Sequence, residues 1–300
     1  MRWVISFLAT LGIAACTPVG STLPSSGYPA PPSQANNPPP TTLPPTAVPQ
    51  DPSPRTPAPA ISAQAAIVMD AVTGRVWATK NADEVRAVAS TQKLLTALLV
   101  LEDGPLSDPV TVQTSDTLVE PSKIYIRAGE TYTRAALVKA LMVKSGNDVA
   151  KALARDVAGS EAAFVQLMNQ KAYSLGMRSS RFLNPHGLTE EGQYSTARDI
   201  AILARRAYQL PVLRDFVATK SYTFTHPGGS SKTLTNTNKL LTRVPYCNGM
   251  KTGTTNASGR CLVSSGQLEN RSAIVVVLGA ANSTALYKDS EALLRWALER

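Results

Sequence analysis

Cysteine, histidine and aromatic residues are all scarce in this chain. Its 300 residues hold three cysteines and two histidines, and aromatic side chains make up 6%. His186 and His226 stand apart from each other and from Cys247 and Cys261. No Cys/His set therefore has metal-ligand spacing, and neither a metal nor a cofactor is expected. The apolar run at 4–11 falls far short of the roughly 20 residues a membrane-spanning helix needs. Blocks of one charge are missing too. Thirty Lys and Arg against 21 Asp and Glu leave a net charge of +9, but the cations are scattered. That pattern does not describe a nucleic-acid binder; attraction to an anionic envelope polymer fits it better.

What is present begins with a leader. Residues 1–16 carry Arg2, the short apolar run, and Ile13-Ala-Ala-Cys16. This reads as a secretory signal peptide. Small residues ending in cysteine resemble a bacterial lipobox, which implies cleavage before Cys16 and a lipid on its sulfur; a chance cysteine after an ordinary signal is the plainer alternative. Residues 17–60 then hold 15 of the 22 prolines and almost no charge. Such a segment cannot bury enough apolar surface to offset its ordering entropy, so a disordered tether is expected. The expected location is exported, periplasmic or envelope, with the membrane reached through a lipid on Cys16.

Residues 61–300 are long enough for one good-sized domain. Strand patterns open it at 65–80 around Thr73-Gly74. Helical patterns fill 90–102, 134–143, 148–157, 161–175 and 196–208. A hairpin follows at 220–234, and strands at 248–253, 259–264 and 273–280 precede a last amphipathic helix at 284–299. Strands at both ends with helices between them indicate α+β: an antiparallel sheet built from both termini, flanking helices and a helical insert.

Within the first helix, Ala89-Ser-Thr-Gln-Lys-Leu-Leu-Thr-Ala-Leu-Leu-Val-Leu101, apolar residues cover most of the girth. Ser90 and Lys93 are three apart and share a face, as a serine nucleophile and its base require. Taken alone, Ser90 could be a cap and Lys93 a snorkelling cation. Two further motifs change that reading. Ser145-Gly-Asn147 falls in a break between helices, and Lys251-Thr-Gly253 lies on a strand. The ordered triple Ser-x-x-Lys, Ser-x-Asn, Lys-Thr-Gly, each in its proper structural context, is specific where each part is weak.

With Asn184-Pro-His-Gly-Leu188, Ser195-Thr-Ala-Arg-Asp199 and Gly249-Met-Lys-Thr-Gly-Thr-Thr255, the chain resembles the penicillin-binding serine D-alanyl-D-alanine carboxypeptidases over nearly all of 61–300. The resemblance implies a β-lactamase/transpeptidase-like fold and removal of the terminal D-Ala from peptidoglycan stem peptides, with β-lactams as covalent inhibitors. It casts Ser90 as nucleophile, Lys93 as base and Ser145 as proton relay. Asn147, Lys251, Thr252 and Thr254 would bind substrate, the Ser90 and Thr254 amides forming the oxyanion hole. Many members carry a further C-terminal β-domain and a membrane anchor after the catalytic fold, where this chain stops. A D,D-endopeptidase would use the same groups, and a non-catalytic wall-binding lipoprotein is the rival of another class. A class A β-lactamase would need an additional glutamate, for which Glu190 and Glu191 lie in the wrong motif.

His186 is expected to pack its loop rather than act as a base, and His226 to sit in a surface turn. Cys247 and Cys261 flank the expected turn at 253–258. If the strands pair antiparallel the two lie roughly opposite, a disulfide candidate; two buried thiols are the alternative.

Overall fold

The computed structural model describes Pro54 and residues 56–299. The leader with Cys16, and most of the tether, lie outside the described residues. In chain order the elements are β1 (Ala65–Asp70), β2 (Val76–Lys80), a 3-10 turn (Ala89–Gln92) running into α1 (Lys93–Asp103), β3 (Pro109–Thr111), α2 (Thr114–Thr117) and β4 (Thr131–Thr133). Then come α3 (Arg134–Lys144), α4 (Asn147–Ala158), α5 (Glu161–Leu175), α6 (Ala197–Tyr208), α7 (Pro211–Ala218), β5 (Ser221–Thr225) and β6 (Ser231–Thr235). The chain closes with α8 (Leu240–Arg243), β7 (Cys247–Thr255), β8 (Gly259–Leu268), β9 (Arg271–Ala280) and α9 (Ser283–Leu298).

One antiparallel sheet runs β2-β1-β9-β8-β7, so strands from both ends of the domain meet at β1 and β9. The fold is α+β, as the pattern of elements implies. β9 is buried along its whole length. Its period-2 alternation divides its apolar residues between two cores. Ile274, Val276 and Leu278 join Ile67, Met69 and Val263 against α1, α3 and α6. Val275 and Val277 join Ala66, Val68 and Leu262 against α9. α1, with Leu94, Leu95, Ala97, Leu98 and Val100 fully buried, runs through the first core.

The cysteine pairing does not form. β7 extends to Thr255 and β8 starts at Gly259, which sets Cys261 opposite Gly253 and Cys247 opposite Gly266, across a bulge between Cys247 and Gly249. The two cysteines also belong to different cores on opposite faces of the sheet. Both are free, buried thiols, and burial pushes the Cys247 thiol up to about 11. Nor is His226 a simple surface-turn residue: its Nδ1 lies 2.8 Å from the Tyr132 hydroxyl, and its ring packs edge-on against Phe224.

Candidate active site

The nucleophile motif begins on a strained residue. Ala89 holds φ at +49°, a left-handed conformation that costs a non-glycine residue of order 1–3 kcal/mol. The 3-10 turn that follows presents Ser90 half-buried, while Lys93 in the first turn of α1 is completely enclosed. Lys93 Nζ lies 2.6 Å from the Asn147 amide oxygen, 2.6 Å from the His186 carbonyl and 2.8 Å from Ser90 Oγ. The Asn147 amide is oriented by its Nδ2, which donates to the Pro121 carbonyl at 2.6 Å. Two of the three neighbours of Lys93 can only accept; Ser90 Oγ can also donate. Lys93 Nζ donates to Ser90 Oγ, which itself donates to the His186 carbonyl at 3.2 Å; loss of one amine proton would free the Lys93 lone pair for the serine proton. Burial, followed by repulsion from the Lys251 ammonium, holds the Lys93 pKa well below the lysine range, against the opposing pull of Asp148.

The loop 184–188 is gripped by one face of α1 and the turn before it. Gln92 Nε2 donates to the Asn184 carbonyl at 2.6 Å, Lys93 to that of His186, and Thr96 Oγ1 to that of Pro185 at 2.6 Å. His186 thus enters the site through its main chain. Its imidazole is pushed down to about 3 by burial and by Lys93 and Lys151, so it stays neutral and is no general base. This agrees with its reading as a loop residue, but the part its carbonyl plays carries no residue-type signal. The signal that was available is Gln92 and Thr96, polar side chains on a buried helix that must find partners.

Ser145 caps α3 in the left-handed conformation (φ 67°), and Asn147 opens α4. The Asn147 amide N–H donates to the Ser122 carbonyl, and Ser122 Oγ to the Ser145 carbonyl. Buried Asp148 accepts from the amides of Ile124, Tyr125 and Ile126, fixing that loop against the break. Pro121 and Ser122, from a segment the sequence marks only as a crossing, therefore line the site.

On the far wall runs β7, an edge strand of the sheet. Lys251 is 1% exposed, and its Nζ donates to the Thr252 carbonyl at 2.9 Å; burial brings its pKa down to about 7. Thr252 Oγ1 donates to Thr237 Oγ1 at 2.7 Å, and Arg260 Nη1 to Thr254 Oγ1 at 3.3 Å. Thr237 and Arg260 were not singled out in the sequence. Ser90, Ser145, Asn147, Thr237, Thr252 and Thr254 face one cleft of about 220 Å3, with Lys93 and Lys251 beneath it. Glu190 and Glu191 are exposed, and Glu190 is engaged with the Asn184 amide. Among the described residues no His/Cys/Asp/Glu group could hold a metal, and no helix is long and apolar enough to cross a membrane.

A buried amine beside a hydroxyl, with a second cation and an open strand edge opposite, is equipped for acyl transfer to serine. Comparisons with known proteins bear on the lineage. The family model described as D-alanyl-D-alanine carboxypeptidase matches residues 52–282. The Bacillus subtilis D-alanyl-D-alanine carboxypeptidase DacF is 36% identical over 224 residues, 73% of this chain and 58% of its own length. The D-alanyl-D-alanine endopeptidase of Pseudomonas aeruginosa is 34% identical over 238 residues, 77% of this chain and 76% of its own. Among solved structures, the D-alanyl-D-alanine carboxypeptidase DacD from Francisella tularensis superposes with a TM-score of 0.77 at 30% identity, covering 82% of this chain and 72% of that one. The chain spans under two thirds of the length of some curated relatives it matches, DacF among them. From the family match and these identities together, the chain belongs to the D-alanyl-D-alanine carboxypeptidase family.

Proposed function

We propose that this protein is a penicillin-sensitive serine D-alanyl-D-alanine carboxypeptidase acting on peptidoglycan stem peptides. The observation that carries the reading is the Lys93 amine, enclosed, depressed in pKa and 2.8 Å from Ser90 Oγ. Neutral Lys93 takes the proton as Ser90 Oγ attacks the carbonyl between the two D-alanines. The Ser90 and Thr254 amides take up the oxyanion. The C–N bond then breaks, D-alanine leaves with a proton delivered through Ser145, and the acyl group stays on Ser90 until water hydrolyses it. Asn147 positions Lys93. Lys251, Thr252 and Arg260 offer charge and hydroxyl to the terminal carboxylate of a peptide laid along the free edge of β7. β-Lactams would acylate the same serine.

The signal at 1–16 and the cysteine at 16 support export and a lipid tether for the domain, with 17–60 as the spacer. Radiolabelled palmitate incorporation that a Cys16→Ser change leaves intact would remove the tether from this proposal.

A second reading, D,D-endopeptidase, uses the same catalytic groups and draws on the 34% identity to the Pseudomonas endopeptidase. The deciding experiment measures D-alanine release from diacyl-Lys-D-Ala-D-Ala and cleavage of crosslinked muropeptides, for wild type and Ser90→Ala, with and without penicillin. Release that penicillin and Ser90→Ala both abolish establishes the carboxypeptidase. Crosslink cleavage without release establishes the endopeptidase. Neither activity, with no penicillin labelling, leaves the wall-binding lipoprotein.

A further inference from the structure

A larger cavity than the catalytic cleft lies next to it. It holds about 530 Å3 between α8 and α9, with Lys239, Arg243, Tyr287, Lys288 and Arg295 on its walls. Its charge is lopsided. Glu291 is the single carboxylate of the lining, and Arg295 takes it at 2.9 Å while also reaching Glu299. That leaves Lys239, Arg243 and Lys288, all solvent-exposed, without a carboxylate partner among the described residues. Arg243 lies 5.0 Å from the Tyr287 ring centroid, a contact that leaves its charge available. The first turn of α9 forms part of the wall and carries no acidic residue, so the positive end of a 16-residue helix adds to the same field. Clustered like charges in a concavity repel one another and raise the local concentration of anions.

Position supplies the second half of the argument. The Tyr287 hydroxyl on the cavity wall donates to the Thr237 carbonyl at 2.8 Å and accepts from the Lys239 amide at 3.3 Å. Thr237 in turn accepts from Thr252 and lines the catalytic cleft. The two concavities have no lining residue in common, but one hydrogen bond, from Tyr287 of the cavity to Thr237 of the cleft, joins their linings. An anionic polymer held in the cationic cavity would be kept beside Thr237, a residue of the catalytic cleft.

We propose that the cavity between α8 and α9 is a second binding site, taking the carboxylates of neighbouring wall peptides and docking polymeric peptidoglycan beside the catalytic cleft. The inference rests on the peptidase reading above for its ligand. Singly charged cations, Lys239 and Arg243 at the ends of α8 and Lys288 from α9, complement the single charges of peptide carboxylates.

The test compares wild type with Lys239→Glu/Lys288→Glu, both exposed positions outside the catalytic machinery, and with the milder Lys239→Gln/Lys288→Gln. Three quantities are read: turnover of diacyl-Lys-D-Ala-D-Ala, turnover of isolated sacculi, and co-sedimentation with sacculi stripped of phosphodiester polymers. The expected result is short-peptide kcat/KM within about twofold of wild type. Sacculus turnover and binding should fall about tenfold or more in the reversal, and less in the glutamine variant. Equal loss on both substrates, or no loss on sacculi, overturns the proposal. So does a binding defect seen only with unstripped sacculi, which would assign the cavity to phosphodiester polymers. If wild type turns over neither substrate, the peptidase reading fails, while the stripped-sacculus binding still decides the cavity.

Discussion

A Cβ placed on Gly253 would stand 2.8 Å from the amide nitrogen of Ser90 and 3.0 Å from that of Thr91. The strand motif and the nucleophile motif are thus in main-chain contact, with no room for a side chain between them. Gly187, at φ +85°, leaves as little room: a Cβ there would collide with the Ala89 carbonyl and stand 2.8 Å from the Ser90 amide nitrogen. One glycine on β7 and one in the 184–188 loop therefore clamp the strained turn that presents Ser90. Its amide is a proposed oxyanion donor, so the clamp sets the position on which acylation depends.

Gly253→Ala should slow penicillin acylation of Ser90 by about a hundredfold, because a displacement near 1 Å at a reacting group costs that much. Gly228→Ala is the control, since a Cβ there meets nothing within 4 Å. Acylation followed by intact-protein mass spectrometry reads both. Acylation of Gly253→Ala at the wild-type rate would mean that the clamp is not needed.

The pH profile should be bell-shaped for carboxylate-terminated peptides. Activity rises with pH as Lys93, held well below the lysine range, loses its proton and becomes a base. It falls as Lys251, with a pKa of about 7, loses the charge that would meet the substrate carboxylate. A neutral thioester lacking that carboxylate should show the rising limb alone. Identical profiles for the two substrates would take Lys251 out of carboxylate recognition.

Much of this site is legible from residue types. The three motifs meet because hydroxyl and amine side chains at fixed spacing fall on elements whose periodicity is readable; α5 spans 161–175 and α6 ends at Tyr208 as the patterns imply. The parts that escape are of two kinds. Main-chain groups, such as the carbonyls of His186 and Pro121, are chemically alike in every residue, so nothing in the sequence marks them. Register depends on small local choices: the turn at 256–258 and the bulge after Cys247 decide which residues face each other across β7 and β8. α7 is a different miss, since Pro211 at its first turn is a helix-start signal that was there to be read.

His186→Gln should retain kcat/KM within about tenfold, because the carbonyl that meets Lys93 belongs to the main chain. An imidazole held neutral down to about pH 3 contributes no limb to the profile, so the shape of the pH curve should not change. Loss of the rising limb in this variant would restore histidine as the base.

Iodoacetamide without reductant should modify neither Cys247 nor Cys261 in the folded protein and both after denaturation, read by peptide mass spectrometry. Both thiols are buried, and burial raises both above the ordinary thiol range. A disulfide-linked peptide pair in the unreduced digest would contradict the register of β7 and β8.

Lys251→Met should be inactive yet more stable. The buried Lys251 amine falls from its ordinary value of 10.5 to about 7 through desolvation. Between those two values the unfolded chain binds more protons than the folded one, so the native state gains stability as pH rises. Below about 7 the lysine imposes its full penalty, offset in part by the bond to the Thr252 carbonyl. Methionine removes the penalty at similar volume. The variant should gain roughly 1–4 kcal/mol at pH below 7. The gain should shrink steadily as pH approaches 10.5, where wild-type lysine is neutral in both states. Urea denaturation across this range reads the difference. A gap that does not change with pH would mean the amine is not desolvated, and the case for its depressed pKa, along with the falling limb of the activity profile, would go with it.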